Sequence, residues 1–458
     1  MGLTQAIGQF LAGVSYEQLP PQATPIVVSG FTDCTAVLIS GLREPVAHII
    51  GRSLSEAFDP KSVARLEAVP GVSAPDLALL YGTAAHAEDY DDTGLAGHPS
   101  AVLVPAILAE CHETPATGED MIAAYVAGYE VWAELIRRDR DQHHLKGWHP
   151  SAVFGAVAAA GASATLRKLT AGQASHAVGI AASLAGGIVA NFGSMTKPFH
   201  IGRAAQSGLT AARLAQAGMT ANPDAIEHKS GFLRAISPHG TVDTTSAPAF
   251  GTMWHILKTG VNIKLYPMCY ATHRMIDATI YLCHTHSLAP DAIHSVEALI
   301  GDNQAGMLRN ARPQTALDAK FSGEFAIAVA AIAGRCTQSE VSDLFVQRPD
   351  VQNFFAKVRI RTTDQKDSEE PALAPFDQVT IQLTNGATLV SEPVAYPRGH
   401  FKRGISHAAM WDKFSACTTS LLGDDAARQL FDRLQKLPML SSLEALAAQP
   451  SSAEQERV

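Results

Sequence analysis

Charge is what this chain has little of. Asp, Glu, Lys and Arg together make up 17% of its 458 residues, and no run of Lys or Arg exceeds two. With 35 basic against 44 acidic side chains the formal net charge is −9, so there is no phosphate-neutralising stripe for nucleic acid or an anionic membrane. Cysteine is sparse too: Cys34, Cys111, Cys269, Cys283, Cys336 and Cys417 are scattered without a C-x-x-C spacing. That pattern suggests no disulfide scaffold, zinc site or iron–sulfur cluster, and the six read as small core residues. The longest apolar stretch, Ala177 to Ala190, is shorter than the roughly 20 residues that cross a bilayer and is expected as a helix inside a bundle. The N-terminal residues carry no basic segment, apolar core and small-residue cleavage site, so the chain is expected in the cytosol.

Familiar catalytic signatures are missing as well. The sequence has no G-x-G-x-x-G after a strand, no G-x-x-x-x-G-K-[ST], no H-E-x-x-H and no G-x-S-x-G, so dinucleotide, nucleoside triphosphate, zincin and α/β-hydrolase chemistry lack their motifs. Any chemistry must come from dispersed side chains.

What is present is apolar. Hydrophobic residues reach 47%, which points to a large core and a subunit interface, and the length fits two or three domains. Residues 1–269 read as helical, with Ala, Leu, Met and Glu recurring at three- and four-residue spacing. Ser73-Ala-Pro75-Asp76 and Thr117-Gly-Glu-Asp120 are helix starts, and further helices are expected over 151–168, 173–190 and 203–218, where Ala and Gly faces allow close packing. From 270 to 398 the period changes to α+β. Lys357 to Thr363 and Val379 to Leu383 alternate apolar and polar, and Asn385-Gly386 before Thr388-Leu-Val390 signals a hairpin with positive φ at both turn residues. Gln365 to Pro375 reads as a loop. Helix resumes over 399–458, with a polar, frayed tail from 450.

Four segments combine titratable side chains with Gly, Pro or a helix end. The first is His86-Ala-Glu-Asp89-Tyr-Asp91-Asp92-Thr93-Gly-Leu-Ala-Gly-His98-Pro-Ser100; on spacing alone a solvated acidic turn explains it equally well. In the second, Lys146-Gly-Trp-His149-Pro150-Ser151, His149 sits at a helix start, where the dipole disfavours the imidazolium, although a histidine that merely caps the helix is the commoner outcome. The third, Met195-Thr196-Lys197-Pro198-Phe-His200-Ile-Gly202-Arg203, puts Lys197 before a proline and so in extended backbone. The fourth, Lys264-Leu-Tyr266-Pro267-Met-Cys-Tyr-Ala-Thr-His273, lies where the period changes, and domain junctions favour small-molecule clefts.

Together these segments resemble the MmgE/PrpD family, whose patterns H-x-x-D-[FY]-D-D-T followed by H-P-S, then W/F-H-P, T-K-P-x-H-x-G-x-A-A and Y-P-x-x-x-x-x-H, match in order over nearly the whole chain. The resemblance implies a mainly α fold: a large helical domain from both chain ends, an inserted α+β lid, a cleft between them and a homodimer. It implies a cofactor-free, metal-free enzyme acting on small polycarboxylates. Its active-site positions fall on Asp89, Thr93, His98, His149, Lys197 and His273. Asp89, His98, His149, Lys197 and His273 are the expected catalytic residues; Thr93, Lys197, His200 and Tyr81 are the expected substrate-binding ones. One position departs: where the family commonly has F-S-x-x-Y, this chain has Phe321-Ser-Gly-Glu-Phe325.

Dehydration, decarboxylation and epimerisation of a polycarboxylate all build negative charge on a carbon beside a carboxylate. Lys197 suits that charge, and the histidines suit the proton. Epimerisation needs only two proton-transferring groups flanking one carbon, so it tolerates a missing phenol at Phe325 best. The expectation is therefore epimerisation of iminodisuccinate stereoisomers by two bases, with a 2-methylcitrate-type dehydratase as runner-up and an inactive binding homologue as a third possibility.

Overall fold

The computed structural model describes residues 1–139, 141–368 and 370–447; the polar tail from 450 lies outside them. The chain divides into two compact units, one running Met1–Ile263 and resuming at Ser406, the other Lys264–Ile405. The first is built from helices and the second combines helices with a small sheet, so the fold is mainly α with a smaller α+β part.

In the first unit the principal helices are α1 (Ala23–Gly41), α2 (Ala74–His86), α3 (Pro99–Cys111), α4 (Gly118–Arg138), α5 (Pro150–Leu166), α6 (Ala171–Leu184) and α7 (Thr196–Gln216). Their starts follow the sequence: Ser73 accepts the Asp76 N–H ahead of α2, and Thr117 and Asp120 close a capping box ahead of α4. Every residue of α3 is buried, and every residue of α5 but Thr165, as expected of helices apolar all round. Helix α1 is long and apolar enough to cross a membrane. Here its faces are covered within the unit, and its buried Asp33 pairs with buried Lys413 of the helix His407–Leu422. All six cysteines are buried and free.

Small residues decide how close the helices come. A Cβ on Gly202 of α7 would lie 2.1 Å from the Leu79 carbonyl oxygen of α2, and one on Gly82 would lie 2.8 Å from Gly202 Cα. The two backbones therefore touch, a few residues from the C-terminus of α2 and the N-terminus of α7. The expected helix 173–190 is shorter than its composition suggests. It ends at Leu184, and most of 182–190 is partly or fully exposed. Beyond it the Gly187 carbonyl accepts the His149 N–H at 3.0 Å and Ile188 bridges Trp148. A Cβ at 187 would meet Ala152 Cβ at 2.7 Å and the His200 ring at 3.1 Å, so glycine permits this approach and the helix cannot continue through it.

The second unit holds a four-stranded sheet of order β2-β1-β3-β4, with β1 (Ile293–Gly301) parallel to β2 (Val358–Thr363) and antiparallel to β3 (Gln378–Leu383), and β3 antiparallel to β4 (Thr388–Val390). Helices His273–Thr285 and Gly323–Ala333 share a core with the inward residues Val296, Ala298, Ile300, Val379 and Ile381. The central strand β1 was absent from the sequence reading, because its register shifts between Ile293 and Ser295 and interrupts the alternation that marks a strand. The hairpin differs in type. Only Gly386 has positive φ, at 88°, and the Leu383 N–H donates to Ala387 O at 2.8 Å, which makes a three-residue turn with glycine in the left-handed position.

The α2–α7 contact is testable. Gly202→Ala forces two backbones apart, so it is expected to cost about 1–3 kcal/mol, read as a lower urea midpoint; an unchanged midpoint would contradict the crossing described.

Candidate active site

Four helix ends of the first unit meet: the C-terminus of α2 and the N-termini of α3, α5 and α7. Helices α3 and α5 begin with the same tripeptide, His98-Pro99-Ser100 and His149-Pro150-Ser151, with histidine at the cap and proline in the first turn. The two starts are joined, because the His98 backbone N–H donates to Ser151 Oγ at 3.1 Å. Lys197 is not in extended backbone as expected. It lies in the first turn of α7, where Pro198 needs no hydrogen-bond partner and the Lys197 N–H donates to Ser194 O at 3.1 Å. Three helix N-termini give the site partial positive charge from backbone alone, the arrangement that favours anions.

The loop from α2 to α3 is conformationally costly. Asp89 has φ +54°, and Leu95 and Ala96 at +50° and +56° form a two-residue turn in which Gly94 and Gly97 exchange N–H···O bonds of 2.9 and 2.8 Å. Left-handed backbone costs a non-glycine residue about 1–2 kcal/mol, and such strain clusters at functional sites. The loop is anchored where Thr93 exchanges backbone bonds of 3.0 and 2.8 Å with Asn262.

Within this frame Lys197 Nζ donates to Asp89 Oδ1 at 3.1 Å and lies 5.4 Å above the Phe192 ring. His98 Nε2 is 4.0 Å from the same Asp89 oxygen. Asp91 stands against two imidazoles: Oδ1 is hydrogen-bonded to His86 Nδ1 at 2.8 Å, and Oδ2 lies 2.9 Å from His98 Nδ1, whose hydrogen bond goes to the Asp92 carbonyl oxygen at 3.0 Å. His149 Nδ1 stands 3.3 Å from His200 Nδ1, with Phe192 edge-on to the His149 ring at 4.8 Å.

Burial dominates the electrostatics. It pushes His86 and His144 down to about 4 and holds His149 well below its ordinary value, with neighbouring cations adding to the effect at His149. His149 was expected to be neutral through the helix dipole; desolvation is the larger cause. Burial opposes ionisation of Asp91, but the His86 and His98 imidazoles outweigh it and keep the carboxyl well below its usual range. Asp92 goes the other way, raised by burial and by Asp33, while bonding Ser100. The site thus contains a lysine–aspartate pair, a second carboxylate and a group of neutral imidazoles. Donor atoms of His86, Asp89, Asp91 and His98 lie within 4.8 Å of one another, a spacing that could hold a metal ion. Lys197 already places a cation against Asp89.

Of the expected residues, Asp89, His98, His149, Lys197 and His200 are gathered here, and Thr93 is in the same loop. Tyr81 is not with them. Its side chain is fully buried and its hydroxyl is 3.4 Å from Nε2 of His112, which caps the far end of α3, about 20 Å along that helix from His98. His273 belongs to the second unit. It is buried between the rings of Tyr266 and Tyr270, with Nε2 3.3 Å from Met268 O. Phe325 is fully buried in that unit's core, edge-on to Phe345. His86 and Asp91 are not among the expected functional residues. Both lie in the H-x-x-D-x-D-D segment, but only the tertiary structure shows one carboxylate serving two rings.

Neutral buried histidines have a measurable consequence. A histidine that stays neutral when folded but charges near 6.5 when unfolded withdraws stability as pH falls from about 6.5 to about 4, because there the unfolded chain binds the extra proton. Imidazole NMR titration is expected to show His86 and His144 uncharged down to about pH 4; midpoints near 6.5 would refute their burial.

The chain matches the model for the MmgE/PrpD N-terminal domain over residues 5–245 and that for the MmgE/PrpD C-terminal domain over 266–437. Similar proteins include a cis-aconitate decarboxylase of Mus musculus, 27% identical over 382 residues covering 81% of this chain and 77% of the relative. One of Homo sapiens is 26% identical over 391 residues, covering 82% and 80%, and one of Aspergillus terreus is 24% identical over 474, covering 97% and 95%. The relatives are enzymes that act on a carboxylic acid, and they give the isomerase expectation no support. The four helix ends and their histidines, lysine and aspartates are those of a chain that belongs to the MmgE/PrpD family.

Proposed function

We propose that this chain is a cofactor-independent lyase that decarboxylates a small unsaturated polycarboxylate, with cis-aconitate the substrate to test first. The observation that carries the reading is the buried Lys197–Asp89 pair, ringed by neutral imidazoles at the meeting of three helix N-termini. The decarboxylase relatives supply the choice of bond. The case for epimerisation rested on Phe325, and a residue buried in hydrocarbon against Phe345 is accounted for by packing alone.

For cis-aconitate the step balances simply. The C–C bond to the carboxylate on the CH₂ carbon breaks and CO₂ leaves. Its electron pair forms a new terminal C=C, and the pair of the old double bond takes a proton at the carbon beside another carboxylate. Charge building towards that carboxylate is stabilised by Lys197 and the helix N-termini. One proton is consumed in each turnover. The polyanion favours the His149 imidazolium that burial disfavours, so His149 takes up a proton as substrate binds and delivers it to carbon, with His98 the second candidate donor by position.

Proton NMR and CO₂ release, measured together, test this. The expected product carries a terminal methylene and appears with one equivalent of CO₂. A new olefin formed from a saturated hydroxy-polycarboxylate with loss of water and no CO₂ would indicate a dehydratase, and α-hydrogen exchange of a dicarboxylic imino acid without any olefin would indicate an epimerase; either overturns the proposal. Lys197→Ala and His149→Ala are each expected to lower kcat/KM by about 10²–10⁴-fold, and His273→Ala asks the same of the position nominated by resemblance.

A further inference from the structure

We propose that Asp91 is the positioning residue of this site: one buried carboxylate, hydrogen-bonded to His86 Nδ1 and in charge contact with His98 Nδ1, favours the same Nδ1–H tautomer in both rings and leaves the Nε2 edge of His98 facing the Asp89–Lys197 pair. This deepens the decarboxylase reading and rests on it only where turnover is measured.

An ionised carboxylate accepts and cannot donate. Asp91 is fully buried; its Oδ1 is hydrogen-bonded to His86 Nδ1 at 2.8 Å, and its Oδ2 lies 2.9 Å from His98 Nδ1 as a close charge contact outside hydrogen-bond alignment, so the carboxylate favours a hydrogen on both ring nitrogens. For His98 the aligned acceptor is the Asp92 carbonyl oxygen, 3.0 Å from Nδ1, which demands a hydrogen on the same nitrogen. In the neutral ring a hydrogen on Nδ1 leaves Nε2 as a lone pair, and Nε2 of His98 is 4.0 Å from Asp89 Oδ1. Two acceptors at that separation form no hydrogen bond, and the gap between them suits a group that brings a proton.

His86 packs edge-on against His98, with ring centroids 4.4 Å apart. Its side chain is fully buried, its Nε2 has no hydrogen-bond partner among the described residues, and its one hydrogen bond goes to Asp91, so its role is to hold that carboxylate. Three elements supply the set: His86 ends α2, Asp91 lies in the loop and His98 caps α3. Carboxylates that orient an imidazole from behind fix its tautomer and stabilise the imidazolium formed during proton transfer. A carboxamide at 91 would have one accepting and one donating side, so it could satisfy only one of the two rings.

The first test needs no substrate. ¹⁵N-detected imidazole spectra of the full chain at neutral pH are expected to show Nδ1–H with bare Nε2 for both His86 and His98; an Nε2–H tautomer at His98 overturns the proposal whatever reaction the protein catalyses. Asp91→Asn is expected to lower kcat by about 100-fold with KM changed by less than about threefold, and to switch the tautomer of one ring. His86→Leu removes the donor from Oδ1 and is expected to lower kcat about tenfold; His86→Asn, whose amide N–H can return that donor, should recover most of the loss. If folded Asp91→Asn turns over like the wild type, or His86→Asn recovers nothing over His86→Leu, the proposal fails. Should Asp91→Asn not fold, the wild-type spectrum and the His86 pair still decide. If cis-aconitate is not decarboxylated at all, the spectrum separates failure of this proposal from failure of the functional reading.

Discussion

Two glycines where α2 crosses α7 set the distance on which the rest of the site depends. With no Cβ on Gly82 or Gly202 the helix backbones come into direct contact, so the end of one helix and the start of the other emerge side by side. Asp89 leaves α2 in a left-handed turn and meets Lys197 in the first turn of α7. A salt bridge buried this deeply is favourable only with good geometry, because desolvating two charges costs several kcal/mol each. The helices provide that geometry; the side chains alone could not.

A second constraint is electrostatic. A protein of net charge −9 proposed to bind a polycarboxylate gains nothing from its overall field, so local attraction must suffice. Lysine is half the answer, and it is already paired with Asp89. The remainder comes from three helix N-termini and from imidazoles that burial keeps neutral, which makes them acceptors of protons that a polyanion would stabilise. The shared carboxylate of Asp91 fits this logic. It stays ionised because the His86 and His98 imidazoles stand against it and outweigh burial, while its neighbour Asp92, one residue along, is pushed the other way by burial and then by Asp33.

The helical starts were legible in sequence because capping is local: Ser73, Thr117 and the two His-Pro-Ser tripeptides act within a single turn. Strands β2, β3 and β4 were legible because alternation survives in them. Strand β1 was not, since a register shift breaks its period, and the helix expected over 173–190 was overextended because composition does not show that the Gly187 backbone must pass beside Ala152 and His200. Among candidate site residues, those in the proline- and glycine-bearing motifs of the first unit were brought together, while His273, also in such a motif, belongs to the second unit. Tyr81 was not: a helix face looks the same from sequence whether it points at a ligand or at the core, and its hydroxyl went to His112.

By itself the sequence determined which helices form, which side chains cap them and which titratable residues are set at their ends, because those effects act over three or four residues. It also determined membership of a family, through motifs in order. What only the tertiary structure decided is how those ends meet. The pairing of Asp89 with Lys197, the sharing of Asp91 by His86 and His98, and the neutrality of the buried histidines all depend on contacts between segments as far as 108 residues apart. Packing distance and desolvation, which no local pattern encodes, fix them.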